Sequence, residues 1–304
     1  MRAEYPNVCA VVVSYHPQPQ QLAALLASLA SQVRHVVLID NGSGVETQRT
    51  LQALAQNGAI DFIPQSVNGG IAQAQNAGIE FALRRGSDFV WLMDQDSLPQ
   101  PGTLTTLLSA LVQLPARTAA VGPCFVDRRT GQQSHFVRFR HGLLKRQPQA
   151  AGQEIVPVDF LIASGMLIPA QVLRVVGLMD EGLFIDHVDT EWCLRAGAAG
   201  YRLFGVTQAR MAHELGDGSI RLGVFGRRAF PNHHPLRYYY GTRNVLLLLR
   251  HGYIPLLWRI TLLLRGLLIS VCGLLLLPKK LLRIKMMVRG LVDGMARRVG
   301  PFPD

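Results

Sequence analysis

The chain is 304 residues long, 49% hydrophobic, 17% charged and 7% aromatic, with 29 Gly, 17 Pro and 4 Cys. That length gives one large domain or two small ones with ample core; the apolar content excludes disorder, and unperiodic Gly with sparse Cys excludes collagen-like and disulfide-scaffold chains. The formal charge of +11 is unevenly spread: residues 1–220 hold 16 Lys/Arg against 18 Asp/Glu, whereas residues 221–304 hold 15 Lys/Arg against only Asp293 and Asp304.

Residues 8–13 (Val-Cys-Ala-Val-Val-Val) form a β-branched run ended by Ser14, Tyr15 and Pro17, the signature of a strand buried on both faces. Leu22, Leu25, Leu26 and Leu29 then recur at helical spacing over 20–32. His35–Asp40 is a second strand, Asn41-Gly42-Ser43-Gly44 a turn, and 45–57 a helix. Asp61–Pro64 is a short third strand, 71–85 a helix, and Phe89–Asp94 a fourth strand. Strands alternating with helices predict an α/β fold with a mostly parallel sheet. Ligand sites in such sheets lie beyond the carboxyl ends of the strands, where Asp40 and Asp94 both fall. The first turn is not Gly-x-Gly-x-x-Gly, and no Gly-x4-Gly-Lys-Ser/Thr occurs, which argues against a dinucleotide-binding dehydrogenase and a P-loop nucleotidase.

From Ala119 to Pro169 the pattern loosens, and Arg128, Arg129, Arg138, Arg140, Lys145 and Arg146 mix with Gly and Gln, as in hairpins and loops. Asp159–Ile168 reads as a strand with a Gly bend, and 189–198 as a helix. Cys9, Cys124, Cys193 and Cys272 are far apart with no CxxC pair, the usage of a reduced compartment without structural zinc. Tyr5–Val33 is uncharged but broken by Pro17 and Pro19, so neither a span nor a secretory signal is expected there.

Asp94-Gln95-Asp96 ends the fourth strand. Two carboxylates two apart at a strand end can turn towards one hard divalent cation, Mg²⁺ or Mn²⁺, which shares its oxygen ligands with substrate phosphates. The alternative is a pair of solvated loop aspartates.

Val-Val-Ser-Tyr (12–15), Leu-Ile-Asp-Asn-Gly-Ser (38–43), Asn-Gly-Gly-Ile-Ala-Gln-Ala-Gln-Asn-Ala-Gly (68–78) and Leu-Met-Asp-Gln-Asp (92–96) follow in order within about 80 residues. Together they resemble the nucleotide-sugar-binding half of the family 2 glycosyltransferases, inverting enzymes with the GT-A fold. The resemblance implies nucleotide-sugar binding by Ser14, Tyr15, Asp40, Asn68, Gly69, Gly70, Asn76 and Asp94, with the Asp40 carboxylate reading the base. It implies a metal on Asp94 and Asp96, with His213 of Ala-His-Glu-Leu-Gly-Asp-Gly-Ser (212–219) completing the shell. A packed or surface histidine is the alternative there.

Leu183–Arg195 resembles the family's E-D-x-D-L-x-x-R segment; counting back from Arg195 puts the catalytic base on Asp189 and the later acid on Glu191. Val188 stands where the family has Glu, and Asp186 is a possible substitute base. A helix N-terminus, where Asp and Glu favour the dipole, also accounts for part of this acidic cluster.

Asn68–Asn76, Met93–Ser97, Phe184–Trp192 and Pro-Leu-Arg-Tyr-Tyr-Tyr-Gly-Thr-Arg-Asn (235–244) are similar to the bacterial rhamnosyltransferase branch, which implies a dTDP-L-rhamnose donor and a lipid-linked saccharide or glycolipid acceptor. The expected organisation is a catalytic domain over 1–220, with nucleotide-sugar-binding (1–100) and acceptor (101–220) halves, followed by a helical tail over 221–304. The alternatives are a glycosyltransferase of another nucleotide sugar and a non-catalytic, membrane-tethered sugar-binding module of the same fold; the intact Asp94, Asp96 and Asp189 argue against the second.

The tail carries Leu246–Leu249 and Leu274–Leu277 among its arginines, which suits an anionic membrane surface better than nucleic acid. Its longest uncharged stretch, Gly266–Pro278, is shorter than the roughly 20 residues a spanning helix needs. Helices lying in the interface are therefore expected, on a peripheral protein of the cytoplasmic face of the inner membrane; a helical bundle packed on the catalytic domain is the alternative. Arg237, Arg243, Arg250, Arg259 and Arg265 are candidates to face a diphosphate lipid.

Overall fold

The computed structural model describes residues 6–58, 60–127, 133, 135–140, 143–146, 154–213, 219–221, 229–231 and 234–303. Arg128, Arg129 and most of the Glu214–Ser219 motif lie outside them, as do the side chains of Arg140, Lys145, Arg146 and His213. The chain divides into two compact units, one of Met1–Glu181 with Val188–His213, the other of Gly182–His187 with Glu214–Asp304.

The first unit opens with β1 (Val8–Ser14), α1 (Pro19–Ala30), β2 (His35–Asp40), α2 (Val45–Asn57), β3 (Asp61–Pro64), α3 (Ile71–Arg84) and β4 (Phe89–Asp94). All seven residues of β1 are buried, because helices cover both faces of a parallel sheet and leave no polar side to alternate with. β5 (Ser97–Pro99), α4 (Thr103–Gln113) and β6 (Thr118–Asp127) follow, then β7 (Val137–Arg140), β8 (Leu143–Arg146), β9 (Ile155–Val158), β10 (Leu167–Pro169), α5 (Ala170–Val176), α6 (Val188–Ala198) and β11 (Arg202–His213).

Nine strands form one sheet in the order β3-β2-β1-β4-β10-β6-β11-β5, with β9 on β11. β1 to β4 run parallel, β6 and β11 are parallel to each other, and β10 reverses direction between β4 and β6. The α/β, GT-A-like class with its parallel core is as expected. β7 and β8 pair as a hairpin within the loose region. In 159–168 only the last two residues join a strand: Gly165 N–H bonds back to Leu92 and Trp91 Nε1–H bonds the Gly165 carbonyl, so a turn replaces most of the expected strand.

Among its described residues the second unit holds β12 (Ser219–Arg221), β13 (Ala229–Pro231) and three helices, α7 (Pro235–Leu248), α8 (Leu256–Leu276) and α9 (Lys280–Met295). Its interior is polar where α7 meets α9: Tyr239 donates to the fully buried Asp293, which also pairs with Arg289 and Arg298 at 3.0 and 3.1 Å. A Cβ on Gly290 would lie 2.4 Å from the Tyr239 carbonyl oxygen, so only Gly lets the two backbones approach this closely.

α8 is a single helix of 21 residues, about 31 Å at 1.5 Å per residue, long and apolar enough by length and composition to cross a membrane. Arg259 lies in its first turn, with its guanidinium turned back onto the carbonyls of His251 and Ile254. Leu256, Ile260, Leu263, Leu267 and Val271 form an exposed stripe along α8. Leu281, Ile284, Val288, Leu291, Val292 and Met295 form another along α9.

Candidate active site

Strand register brings the N-terminal motifs to one edge. Ser14 lies opposite Asp40 and Val13 opposite Asp94, so the three side chains end adjacent strands at nearly the same height. The Ser14 hydroxyl donates to the Ile39 carbonyl, which fixes the edge, while Tyr15 is exposed beyond it.

Gln95, between the two aspartates, is a residue that sequence reasoning missed. Its Oε1 accepts from Tyr15 N–H at 2.7 Å and its Nε2 donates to the Tyr15 carbonyl at 3.2 Å. A side-chain amide thus pairs with a backbone amide and ties the β1 loop to the Asp94–Asp96 turn. Only the matched spacing of two strand ends could have signalled it.

The Asp40 carboxylate is fully buried and accepts from the Ser43 N–H, the Ser43 hydroxyl and Gln48 Nε2, so it holds the 41–44 turn. That turn docks on the Asn68–Gly70 turn: Asn41 donates to Asn68 Oδ1 and accepts from Gly69 N–H. Gly42 has φ +81°, and a Cβ there would sit 2.4 Å from the Val67 carbonyl carbon, so Gly is needed twice over. Asn68 Oδ1 also accepts from Gly70 N–H, the residue before α3. The buried Asn76 amide donates to the Met179 carbonyl and Glu181 and accepts from Met179 N–H, which supports the 179–181 segment.

Asp94 and Asp96 stay together at the edge, both partly exposed. Asp94 N–H donates to the Ser164 hydroxyl, which meets Ser97, so the 163–166 turn buttresses the pair from below. His213 pairs with Ser97 in the antiparallel ladder, which puts their Cα atoms roughly 4.5–5.5 Å apart and His213 next to Asp96 in register. Among the described residues no group of three His, Cys, Asp or Glu side chains forms a ready metal cage. Two carboxylates at an open edge still fit a hard cation of the Mg²⁺ type, which usually takes one or two protein carboxylates and fills its shell with water and substrate phosphate.

Asp189 sits in the first turn of α6, its Oδ1 accepting from Thr190 N–H at 2.7 Å. Glu191 is 1% exposed and paired in two bonds with Arg195, at 2.7 and 2.9 Å. Arg195 in turn donates to the carbonyls of Val176 and Leu178, so Glu191 and Arg195 pin α6 to the preceding loop and Glu191 is structural.

In the second unit, Asp186 is held by Arg237 through both oxygens. Phe184, Asp186 and His187 all have left-handed φ, from +63° to +66°, which costs non-Gly residues roughly 1–2 kcal/mol each. α7 sustains this strain. Asn244 Nδ2 donates to the carbonyls of Leu183, Ile185 and Asp186, and the fully buried Arg243 donates to Gly182, Leu183 and Gly300. The 235–244 segment therefore acts as a clamp on 182–187, and Arg243 is unavailable to a diphosphate.

These strand-end carboxylates belong to a recognisable lineage. The family model for Glycosyl transferase family 2 matches residues 9–174. The chain is 36% identical over 256 residues to dTDP-rhamnosyl transferase RfbF of Shigella flexneri, covering 83% of this chain and 82% of that one. It is 30% identical over 231 residues to galactofuranosyltransferase GlfT1 of Mycobacterium tuberculosis, covering 73% and 74%. Its fold matches the crystal structure of GalNAc-T7 with UDP, GalNAc and Mn²⁺ at a TM-score of 0.58 and 15% identity, over 97% of this chain and 56% of that one. With more than half its length matched and its acidic strand ends gathered at one edge, this chain belongs to glycosyl transferase family 2.

Proposed function

We propose that this glycosyltransferase moves L-rhamnose from dTDP-L-rhamnose, with inversion, onto a hydroxyl of a cell-surface glycan or glycolipid acceptor at the cytoplasmic face of the inner membrane. The observation that carries the donor is the likeness to the rhamnosyl transferase RfbF across most of both chains.

In this reaction Asp189 takes the proton of the acceptor hydroxyl as its oxygen attacks the anomeric carbon. The bond from that carbon to the diphosphate breaks on the opposite face, and dTDP departs with the electron pair. The Asp94 and Asp96 carboxylates would hold a divalent cation, Mg²⁺ or Mn²⁺, which when bound supplies Lewis-acid compensation for charge gathering on the diphosphate. Gln95 keeps Tyr15 in place over the donor end, and Asp40 keeps the two nucleotide-side turns locked together. Asp186 is a weaker base candidate because both its oxygens already accept from Arg237. The exposed apolar stripes of α8 and α9, with 15 Lys/Arg in residues 221–304, support peripheral attachment to an anionic bilayer.

The likeness to GlfT1 favours one second reading, a galactofuranosyl donor. Release of nucleoside diphosphate by the purified full chain, with dTDP-L-rhamnose or UDP-galactofuranose and with or without Mg²⁺ or Mn²⁺, decides between them. Metal-dependent release of dTDP is the expected result. Release from UDP-galactofuranose alone overturns the donor assignment, and release from neither overturns the enzymatic one.

A further inference from the structure

The helices α7, α8 and α9 line an open cavity of about 590 Å³, within the 300–1,000 Å³ range usual for small-molecule sites. Its walls are apolar: Val245 and Leu246 from α7, Leu262, Leu267 and Ile269 from α8, and Leu291 from α9. Its charged lining residues are Arg237, Arg265 and Asp186. The two arginines differ. Arg237 is neutralised by Asp186, whereas Arg265 has neither a carboxylate nor a hydrogen-bond acceptor among the described residues. Of the other arginines considered for an anionic lipid, Arg243, Arg250 and Arg259 are all turned onto backbone carbonyls. An apolar slot that Arg265, uncompensated among the described residues, also lines is complementary to a molecule that joins an alkyl or isoprenoid chain to a phosphate.

The cavity also continues into the outer surface. Leu267 and Leu291 line it and are exposed members of the apolar faces of α8 and α9. A chain leaving a bilayer against those faces would enter the slot without its hydrocarbon crossing water, which keeps apolar area buried throughout. Asp186 and His187 also line it, and they lead in sequence directly into Val188 and Asp189.

We infer that this cavity receives the hydrocarbon chain of a lipid-phosphate acceptor, with Arg265 binding the phosphate. The assignment rests on the glycosyl transfer proposed above and adds where the acceptor's lipid part is held. Bulk phospholipid carries two chains per headgroup and suits a single slot less well. Arg–phosphate contacts are charge-assisted and frequently bidentate, so Arg265 should contribute both affinity and a preference for phosphate over neutral headgroups.

The probe is dodecyl phosphate below its micelle concentration, titrated calorimetrically into the full chain. Dodecyl maltoside, inorganic phosphate and phosphatidylglycerol nanodiscs are titrated in parallel. Saturable one-to-one binding of dodecyl phosphate is expected, stronger than dodecyl maltoside and absent for inorganic phosphate. Arg265→Gln should weaken dodecyl phosphate about tenfold while leaving dodecyl maltoside unaltered, a selectivity that misfolding would not produce. Gly266→Leu should weaken both amphiphiles, since a Cβ there meets only Val245 at an ordinary 3.7 Å and the added bulk occupies the slot. Circular dichroism confirms that each variant is folded.

Unaltered binding of dodecyl phosphate in both variants would overturn the site. Equal competition by phosphatidylglycerol nanodiscs would overturn the acceptor as its occupant. Donor turnover is measured separately on the wild-type chain. Its loss with dodecyl phosphate binding intact would count against the rhamnosyl assignment alone.

Discussion

Asp189 and Asp186 stand three positions apart. Both oxygens of Asp186 accept from Arg237, and Oδ1 of Asp189 accepts from the Thr190 N–H. Asp189→Asn keeps the shape but cannot take a proton, so turnover should fall by roughly 10²–10⁴ with donor affinity little changed. Near-wild-type turnover in that variant, measured as dTDP release in the presence of an acceptor, would remove Asp189 from the mechanism. A larger loss in Asp186→Asn would move the base three positions upstream. Residue identities at this edge were legible in the sequence, but the direction of their oxygens was not. Asp40 and Asn76 sit in recognisable motifs, yet spend polar atoms on Gln48 and Met179, which no local pattern announces; the Glu191–Arg195 pair, by contrast, is an i,i+4 helix pair.

The strands and helices of the first hundred residues follow directly from periodicity, because β1, β2 and β4 are buried on both faces and read as continuous apolar runs. The stretch 159–168 misleads because its apolar residues bury in a turn against β4 and not in a ladder. α7 was legible as a motif without a task; its task lies in the carbonyls of 182–187. Asn244 shares two N–H groups among three carbonyls, and replacing it with Ala removes a donor from each and strips support from a left-handed segment. Asn244→Ala should therefore cost about 1–3 kcal/mol in urea denaturation. It should also lower kcat more than it raises KM for the donor, because the relaxed segment runs into Asp189 in sequence. A variant with wild-type stability and wild-type kcat would show that α7 does not clamp this loop.

For the whole molecule, charge and apolar surface point the same way. Residues 221–304 carry a net charge of +13, and the two longest helices of the second unit turn leucines, isoleucines and valines outward. Two attractions to an anionic bilayer follow, electrostatic and hydrophobic, and salt separates them. At 1 M the Debye length is about 3 Å, so salt screens the first and leaves the second. Co-sedimentation with anionic liposomes should accordingly be only partly reversed by 1 M salt and fully reversed by detergent. The thiols report which face is covered. Burial pushes Cys9 up to about 12 and raises Cys193 further, and Cys124 is buried too, so none of these should alkylate in the folded protein at pH 8. Cys272, half-exposed on α8, should alkylate in solution and be protected several-fold on anionic vesicles, but not on neutral ones if charge brings the helix down. Equal labelling of Cys272 in all three conditions, together with negligible sedimentation, would mean that the apolar stripes face something other than a membrane.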